Sequence, residues 1–419
     1  MTSGDEHAAD HRRPGDAGVG AGPTPATGDE GPGRRPAGAD VGAGSTTGGD
    51  RVWALVAGGG TAGHVLPAVA IARALVARGR EQTGIHFVGS ARGLEARLVP
   101  EAGYTVTLLP GRGIARRLTL DNVGAVIGLV RAVGKAFVLT ARKRPAVVVS
   151  VGGYASVACT VAAVALRVPI VLHEQNAVAG LANRLAGRFA KACAVSFEGT
   201  SLPRPVVTGN PVRAEVLAVD RSPAGRARAR ATLGLPSGAL VVGVFGGSLG
   251  ARRLNEATFG LVDAWAARSG VAIRHVVGAR DWATASGRLP AVPDGGLHYD
   301  PVEYEQRMPL LYSAADVVVS RAGGSTVAEL AAAGVPAVLV PLPGAPDDHQ
   351  TANGMALVRA GAAVLVPDAE LTPERLAAEL EALLADPDRL AAMAEAGRGG
   401  AHPDAADRVA DLVERHARW

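Results

Sequence analysis

The chain has 419 residues, enough for two domains of ordinary size. It is 48% hydrophobic and 4% aromatic, with a formal net charge of +4. That composition is typical of a globular α/β protein, and without an aromatic-plus-basic motif it does not favour nucleic-acid binding. No run of 18 apolar residues and no apolar signal core occur, so we predict neither a membrane-spanning helix nor export. Cys159 and Cys193 fit no metal spacing or disulfide framework, and we expect two buried thiols in a reducing cytoplasm.

Residues 1–50 differ in composition from the rest of the chain. They contain 13 Gly and 5 Pro and no aromatic residue. Such a segment buries too little apolar surface to offset chain entropy, so we predict a disordered tail. The tail has eight acidic and four basic residues, which leaves 39 basic against 31 acidic residues in the remainder. A modestly basic body suits phosphate ligands or an anionic membrane surface.

Short apolar runs alternate with helical stretches over residues 51–212, and the same pattern repeats over 213–400. The predicted strands are 52–57, 84–88, 105–109, 146–151, 170–173, 193–197 and 205–208, then 240–245, 273–277, 297–299, 317–320, 337–340 and 363–366. Continuous Val/Ile/Leu strands joined by helices indicate parallel sheets covered on both faces. We therefore predict an α/β protein with two Rossmann-like domains, a cleft between them and a last helix within 401–419. Ligands of such sheets bind beyond the carboxyl ends of the strands.

Two glycine loops follow strands of the first domain. Residues 58–64, Gly-Gly-Gly-Thr-Ala-Gly-His, join a strand to a helix, which is the geometry that seats phosphate at a helix N-terminus. The loop ends in His64, and histidine can take a proton near neutral pH. Residues 152–156, Gly-Gly-Tyr-Ala-Ser, form a second loop, and the two loops together suit a pyrophosphate. The alternative for the first loop is a tight turn with a capping histidine, and the alternative for the second is close backbone packing.

Polar residues follow two further strands of this domain. Residues 173–176, His-Glu-Gln-Asn, end one strand, and we predict that a helix starts near Ala177. Four polar side chains are costly to bury without partners, which favours a ligand site over a simple helix cap at Asn176. Residues 208–213, Thr-Gly-Asn-Pro-Val-Arg, form a sharp turn at the junction of the halves. Arg213 either binds a phosphate or is an exposed, solvated side chain.

Three segments of the second domain fall at strand ends. Residues 246–253, Gly-Gly-Ser-Leu-Gly-Ala-Arg-Arg, offer N–H groups and the Ser248 hydroxyl to phosphate oxygens. Residues 321–330 place Glu329 early in a helix, where it either complements the helix dipole or accepts both hydroxyls of a ribose. Residues 347–353 carry the amides of Gln350 and Asn353, which suit sugar hydroxyls.

Residues 111–144 mix basic and apolar side chains. A surface of this kind suits an anionic bilayer, and a core-facing helix with a solvated basic face fits the pattern equally well. The basic residues are Arg112, Arg116, Arg117, Arg131, Lys135, Arg142, Lys143 and Arg144.

Taken in order, these blocks resemble the MurG family of glycosyltransferase family 28, over about residues 51–400. The resemblance implies a GT-B fold whose C-terminal domain binds UDP-GlcNAc. It implies inverting transfer of GlcNAc to the C4 hydroxyl of undecaprenyl-pyrophosphoryl-MurNAc-pentapeptide (lipid I), which gives lipid II for peptidoglycan synthesis. It further implies no cofactor, no metal, and a peripheral location on the cytoplasmic face of the cell membrane. The partners that the resemblance implies are an anionic inner-leaflet surface and proteins of cell-wall synthesis and division.

The resemblance also implies roles for individual residues, with His64 as the general base. The residues implied to bind UDP-GlcNAc are Thr61, Ala62, Gly63, Asn176, Arg213, Ser248, Gly324, Ser325, Thr326, Glu329, Gln350 and Asn353. The residues implied to bind the acceptor are Gly152, Gly153, Tyr154 and Glu174. The sequence departs from the family pattern at Ala62, Leu249, Gly324, Ser325 and Glu305.

Other functions remain open at this point. One is another UDP-sugar enzyme of the same fold, such as a lipid glycosyltransferase or a UDP-GlcNAc 2-epimerase. A second is a catalytically silent, membrane-bound UDP-sugar binding module. A third is an NAD-dependent oxidoreductase, but the first loop lacks Gly-x-Gly-x-x-Gly and no acidic residue ends the next strand, which argues against it.

Overall fold

A computed structural model of the chain describes residues 51–91, 93–110, 121–247 and 250–418. The predicted tail, residues 1–50, lies outside the described residues. So do residues 111–120 of the basic stretch, with Arg112, Arg116 and Arg117, and so do Ser248 and Leu249. The described part contains two parallel sheets with helices on both faces.

The first sheet has seven parallel strands. They are β1 (Ala54–Ala57), β2 (Ile85–Ser90), β3 (Thr105–Leu109), β4 (Val147–Ser150), β5 (Ile170–Glu174), β6 (Ala192–Val195) and β7 (Pro205–Val207). Their order across the sheet is β3-β2-β1-β4-β5-β6-β7. Every residue of the central strands β1, β4 and β5 is buried, as the continuous aliphatic runs predict.

The second sheet has six parallel strands and repeats the same plan. They are β8 (Leu240–Phe245), β9 (Val271–Val276), β10 (His298–Val302), β11 (Val317–Ser320), β12 (Ala337–Leu339) and β13 (Ala363–Leu365). Their order is β10-β9-β8-β11-β12-β13. In both sheets the chain starts in the middle, moves to one edge and returns to the other side, so a crevice opens where the direction reverses.

Helices connect the strands of each sheet, and the last three described helices follow the final strand. In the first half they are α1 (Ala62–Ala77), α2 (Glu95–Glu101), α3 (Asp121–Lys143), α4 (Tyr154–Ala165) and α5 (Leu181–Gly187). In the second half they are α6 (Ala214–Leu217), α7 (Pro223–Leu233), α8 (Arg252–Ala264), α9 (Ala279–Ala285), α10 (Met308–Ala314), α11 (Gly324–Ala333), α12 (His349–Arg359), α13 (Pro373–Leu384), α14 (Pro387–Gly399) and α15 (Ala405–His416). Among the described residues, no helix is both long enough and apolar enough to span a bilayer.

The last helix, α15, belongs to the core of the first sheet. Val409 and Val413 are fully buried in the same apolar cluster as α1 and β1. On the outer side Arg78, which directly follows α1, forms ion pairs with Asp407 (3.3 Å) and Glu414 (3.5 Å). The chain therefore crosses back to the first domain after completing the second, and this return anchors the two halves to each other.

The two cysteines lie inside the first domain as predicted. Cys159 and Cys193 are buried and unpaired. Burial raises the pKa of Cys159 to about 12 and that of Cys193 to about 11. Both thiols therefore stay protonated at neutral pH and act as small apolar side chains.

Candidate active site

The two glycine loops of the first domain are in backbone contact. The Gly59 N–H donates to the Gly152 carbonyl (3.3 Å), and a Cβ on Gly153 would lie within 3.0 Å of the Gly59 carbonyl oxygen. Gly60 (φ 100°), Gly152 (φ 91°) and Gly153 (φ 87°) have backbone conformations that L side chains rarely adopt. Close backbone packing is thus present, and it brings both loops to one edge of the sheet.

We expect Gly153→Ala to lower the free energy of unfolding by about 1–3 kcal/mol, because the new Cβ meets the Gly59 carbonyl and the backbone is left-handed. Urea denaturation measures the change. Gly134→Ala is the control, since Gly134 lies in α3 with no atom within 4 Å of its Cβ position. There we expect equal or slightly higher stability. A Gly153→Ala protein as stable as the wild type would contradict the contact between the loops.

His64 lies at the end of the first loop, in the first turn of α1. Its Nδ1 is 3.1 Å from the Thr61 hydroxyl, and an ideal Cβ on Gly152 would stand 3.2 Å from its Nε2. Burial lowers the pKa of His64, and the negative charges of Glu174 and Glu95 oppose that shift. The imidazole is therefore neutral at pH 7, with one ring nitrogen able to accept a proton.

Glu174 organises the polar segment that follows β5. Its buried carboxylate accepts hydrogen bonds from the Asn176 N–H (3.0 Å), the Asn176 amide (3.1 Å), the Gly180 N–H (3.1 Å) and the Asn183 amide (2.9 Å). These donors fold residues 175–180 into a loop. The helix predicted near Ala177 begins instead at Leu181, so that prediction was wrong. The physical reason is that Glu174 takes the N–H groups that a helix start would leave free.

His173 connects the same segment to the junction of the halves. It is fully buried, and burial lowers its pKa to about 4. The Gln175 amide donates to its Nδ1 (3.0 Å), so Nε2 carries the proton and donates to the Gly209 carbonyl (3.4 Å). This neutral histidine holds the 208–213 turn against the end of β5.

Asn176 and Asn353, both predicted to bind UDP-GlcNAc, contact each other between the two halves. The Asn353 amide donates to Asn176 Oδ1 (3.1 Å) and to the Ala322 carbonyl (3.1 Å), while its oxygen accepts from the Ala177 N–H (2.8 Å). Asn353 is completely buried. The structure therefore brings the two residues together, and each is a hydrogen-bond partner of the other's segment.

The N-terminus of α11 contacts the first glycine loop and the 175–180 loop of the first domain. The Ser325 hydroxyl donates to the Gly63 carbonyl (3.2 Å), and a Cβ on Gly324 would lie within 3.0 Å of the Gln175 carbonyl oxygen. Residue 324 must consequently be small for the halves to approach this closely. The departure from the family pattern at this position is therefore compatible with a narrow cleft.

Arg213 and Glu329, predicted to bind diphosphate and ribose respectively, form an ion pair. Arg213 donates to Glu329 Oε1 through Nε (3.2 Å) and Nη2 (3.1 Å). The hydroxyl of the buried Tyr312 donates to Glu329 Oε2 (2.9 Å). Burial raises the pKa of Tyr312, and the Glu329 charge adds to that rise while Arg213 opposes it. The carboxylate is thus held from two sides by charge-assisted hydrogen bonds, one side coming from a cation and the other from a hydroxyl.

Of the remaining predicted residues, Ser248 lies outside the described part, and Gly250 (φ 85°) is the first described residue after it. Gln350 accepts a hydrogen bond from the Leu342 N–H (2.9 Å), and Thr326 and Ala62 are half-buried at helix starts. The Tyr154 hydroxyl donates to the Pro110 carbonyl (2.9 Å) and so ties α4 to the end of β3.

Glu305, at a position where the family pattern is aliphatic, has an internal partner. It is 5% exposed and forms an ion pair with Arg274 (2.6 Å), while its other oxygen accepts from the Arg307 N–H (2.8 Å). Arg274 also pairs with Asp300. The carboxylate is therefore compensated within the second domain, and this departure is explained by an ion-pair network.

Two residues next to these side chains were not predicted from the sequence. Glu95 lies beneath the first glycine loop, and Tyr312 holds Glu329. Neither follows directly on a strand end, whereas most of the segments predicted from the sequence do. The signal that existed for Glu95 was the pair Gly89 and Gly93 close before it. In the described part of the chain, no group of three His, Cys, Asp or Glu side chains is arranged to hold a metal ion.

Comparison with known proteins gives one consistent family. Residues 54–195 match the glycosyltransferase family 28 N-terminal domain, and residues 241–409 match the family 28 C-terminal domain. A Desulforudis audaxviator protein is 39% identical over 374 residues, covering 87% of this chain and 98% of the relative. A Nocardioides protein is 43% identical over 359 residues, covering 86% and 96%. Both are named UDP-N-acetylglucosamine–N-acetylmuramyl-(pentapeptide) pyrophosphoryl-undecaprenol N-acetylglucosamine transferase.

A solved structure agrees with these relatives. The crystal structure of Acinetobacter baumannii MurG matches with a TM-score of 0.66 and 30% identity, over 87% of this chain and 99% of that chain. The two Rossmann-like sheets are therefore the GT-B fold predicted from the sequence. The chain belongs to glycosyltransferase family 28, and within it to the MurG family.

Proposed function

We propose that the chain transfers GlcNAc from UDP-GlcNAc to the C4 hydroxyl of lipid I, releasing UDP and forming lipid II for peptidoglycan synthesis. The observation that carries this proposal is the sequence identity of about 40% to two N-acetylglucosamine transferases acting on the undecaprenol-linked pentapeptide, over nearly their whole length. The cleft supplies suitable groups at the junction of the halves: a neutral histidine, two glycine loops and an Arg–Glu pair.

His64 is the general base of this proposed reaction. The acceptor C4 oxygen attacks the anomeric carbon while the bond from that carbon to the UDP oxygen breaks. His64 takes the hydroxyl proton on Nε2, and the electron pair of the broken bond leaves with UDP. One displacement inverts an α-linked donor to a β-1,4 product and needs no covalent enzyme intermediate. Arg213 and the N–H groups of the loops offset the charge on the departing diphosphate.

Donor binding requires Arg213 and Glu329 to exchange partners. In the ion pair, both oxygens of Glu329 are occupied by protein donors. UDP-GlcNAc offers a diphosphate to Arg213 and two vicinal hydroxyls to Glu329, so each member of the pair gains a ligand partner of matching chemistry. Gln350 and Asn353, with Ser248 and residues 324–326, are proposed to complete the donor site, and residues 61–63 and Asn176 to reach it from the first domain.

The acceptor is proposed to lie against the first domain. The N-termini of α1 and α4 point N–H groups at the loop edge, which suits the lipid diphosphate. Gly152, Gly153 and Tyr154 form that edge at α4. Glu174 accepts hydrogen bonds from four internal donors, so its proposed contribution to the acceptor site is to shape the 175–180 loop.

Acceptor-dependent release of UDP tests the proposed reaction. The protein is incubated with UDP-GlcNAc, with and without a soluble lipid I analogue, and UDP and sugar products are quantified. We expect UDP to appear in equal amount to a GlcNAc-extended acceptor, and only when acceptor is present. Conversion of UDP-GlcNAc to its 2-epimer would support the epimerase alternative instead. Donor binding without any transfer would support the silent module.

We also propose that α3 lies on the anionic cytoplasmic face of the membrane. Its inner side buries Ala132 and Ala136, whereas Val130 is 67% exposed and Phe137 is 42% exposed. The exposed side also carries basic side chains, namely Arg131, Lys135 and Arg142. The helix thus has both a core-facing side and an apolar, basic outer side, the combination that binds anionic interfaces. Contacts with cell-wall and division proteins on the same membrane extend this proposal.

We expect Val130→Glu to weaken binding to vesicles of phosphatidylglycerol and phosphatidylcholine by roughly tenfold, because it removes apolar contact and adds a repelled charge. Vesicle sedimentation measures the bound fraction. Leu240→Glu is the matched control on the second domain, where Leu240 is 37% exposed. Equal binding by the Val130→Glu protein and the wild type would contradict the proposal that α3 lies on the membrane surface.

A further inference from the structure

Glu95 is a buried carboxylate enclosed by glycines. It lies at the start of α2 and is 1% exposed. A Cβ on Gly59, Gly89 or Gly93 would fall within 3.0 Å of its side-chain atoms. Three glycines from two backbone segments, residues 58–60 and 89–93, therefore leave room for one carboxylate side chain. An enclosure of that kind indicates that the position of this group matters to the surrounding loops.

The carboxylate joins the first glycine loop to the end of β2. One oxygen accepts a hydrogen bond from the Gly60 N–H (2.8 Å), and the other accepts from the Ser90 N–H. Gly60 is followed directly by Thr61, whose hydroxyl is 3.1 Å from His64 Nδ1. The path from Glu95 to the imidazole therefore consists of one hydrogen bond, one peptide link and one side-chain contact.

We propose that Glu95 is a positioning residue of the transfer reaction, which fixes the first glycine loop and thereby aims His64 at the acceptor hydroxyl. This inference rests on the proposed function, because it assigns Glu95 a task within that reaction. Glu95 does not touch substrate in this arrangement. It acts through the loop, where an error of about 1 Å in the base lowers turnover by about 10².

Glu95 also contributes charge to the surroundings of His64. The charged and titratable groups that face the imidazole are Glu174, Glu95, His349 and His173. Glu174 and Glu95 raise the pKa of His64 and His349 lowers it, against a larger decrease from burial. The two carboxylates therefore favour the imidazolium that forms when the acceptor proton is taken, without contacting the ring.

The first test separates positioning from general destabilisation. In Glu95→Gln the amide cannot accept from both N–H groups, so the loop loses one anchor. We expect kcat with a lipid I analogue to fall about 10- to 100-fold, with the KM for UDP-GlcNAc within about threefold of the wild type. In Gly93→Ala the new methyl group displaces the Glu95 carboxylate without changing Glu95 itself, and we expect the same fall in kcat with an unchanged KM. Val99→Ala, in the buried face of α2, is the control for lost stability alone.

The second test uses the pH profile. The base must be neutral, so kcat falls as pH drops through the pKa of His64. Loss of the Glu95 charge lowers that pKa, so the acid limb of Glu95→Gln should move to lower pH. Glu95→Asp keeps the charge but loses reach, so kcat should fall with the limb unmoved.

Two results would overturn the inference. One is a kcat for Glu95→Gln and Gly93→Ala no lower than that of Val99→Ala, and the other is an acid limb unmoved in Glu95→Gln. If Glu95→Gln does not fold, Gly93→Ala and Glu95→Asp decide by the same kcat criterion. A wild-type protein that transfers no GlcNAc would refute the proposed function itself, which is a different outcome.

Discussion

Replacing His64 with alanine is expected to lower kcat by roughly 10²- to 10⁴-fold while leaving the affinity for UDP-GlcNAc largely unchanged. The reason is that the imidazole is the neutral, proton-accepting group at the junction of the two glycine loops. Steady-state kinetics with saturating donor and a lipid I analogue measure kcat, and calorimetry measures donor affinity. His416→Ala, at the end of α15, is the control and should keep wild-type turnover.

The pH dependence gives the same prediction a second measurement. Burial lowers the pKa of His64 below its ordinary value of 6.5, and Glu174 and Glu95 only partly oppose this. The neutral base is lost as pH falls through that pKa, so the acid limb of kcat should lie below pH 6.5 in the wild type. An alanine variant with unchanged turnover would exclude His64 as the base.

Replacing Glu329 with glutamine is expected to weaken UDP-GlcNAc binding by about 10- to 100-fold. A carboxylate accepts from both vicinal hydroxyls of a ribose, whereas an amide accepts from one only, and hydrogen bonds to charged groups contribute about 1.5–3 kcal/mol. The fold should persist, because an amide oxygen still accepts from Arg213 and an amide N–H still reaches the Tyr312 hydroxyl. Isothermal titration of UDP-GlcNAc measures the loss.

Two controls make the Glu329 prediction specific to ribose. Glu381→Gln removes an exposed carboxylate elsewhere in the second domain and should bind the donor normally. A 2′-deoxyribose analogue of the donor should bind the wild type more weakly than UDP-GlcNAc, and the difference should shrink in Glu329→Gln. Tight donor binding by the folded Glu329→Gln protein would contradict the ribose assignment.

The sheets were predictable because their strands carry an unambiguous local signal. Val147–Ser150 and Val317–Ser320 are short aliphatic runs bounded by loops, and each is a central, fully buried strand. The glycine loops were predictable for the same reason, because each follows such a strand. The sequence did not decide whether the two loops contact each other, because close backbone packing and a ligand site both require glycines at these positions.

The partners of the site residues were not predictable from the sequence. Asn176 and Asn353 are 177 positions apart, and Arg213 and Glu329 are 116 apart, so no local pattern reports that they meet. In the sequence Glu95 looks like any other glutamate of a short helix. Only the fold shows that glycines distant or nearby in the chain surround its carboxylate. The start of α5 was misplaced because a buried carboxylate, Glu174, competes for backbone N–H groups that local propensity assigns to a helix.

We propose that Gly58–Gly60 and His64 of the first loop face the acceptor, that residues 61–63 also reach the donor, and that the loops of the second domain hold the nucleotide. A crystal structure with UDP-GlcNAc bound tests this division most directly. We expect the ribose hydroxyls on Glu329, Arg213 released from that carboxylate to the diphosphate, and the anomeric carbon facing His64. Electron density for the diphosphate within the Gly58–Gly60 backbone, with the Arg213–Glu329 pair intact, would contradict it.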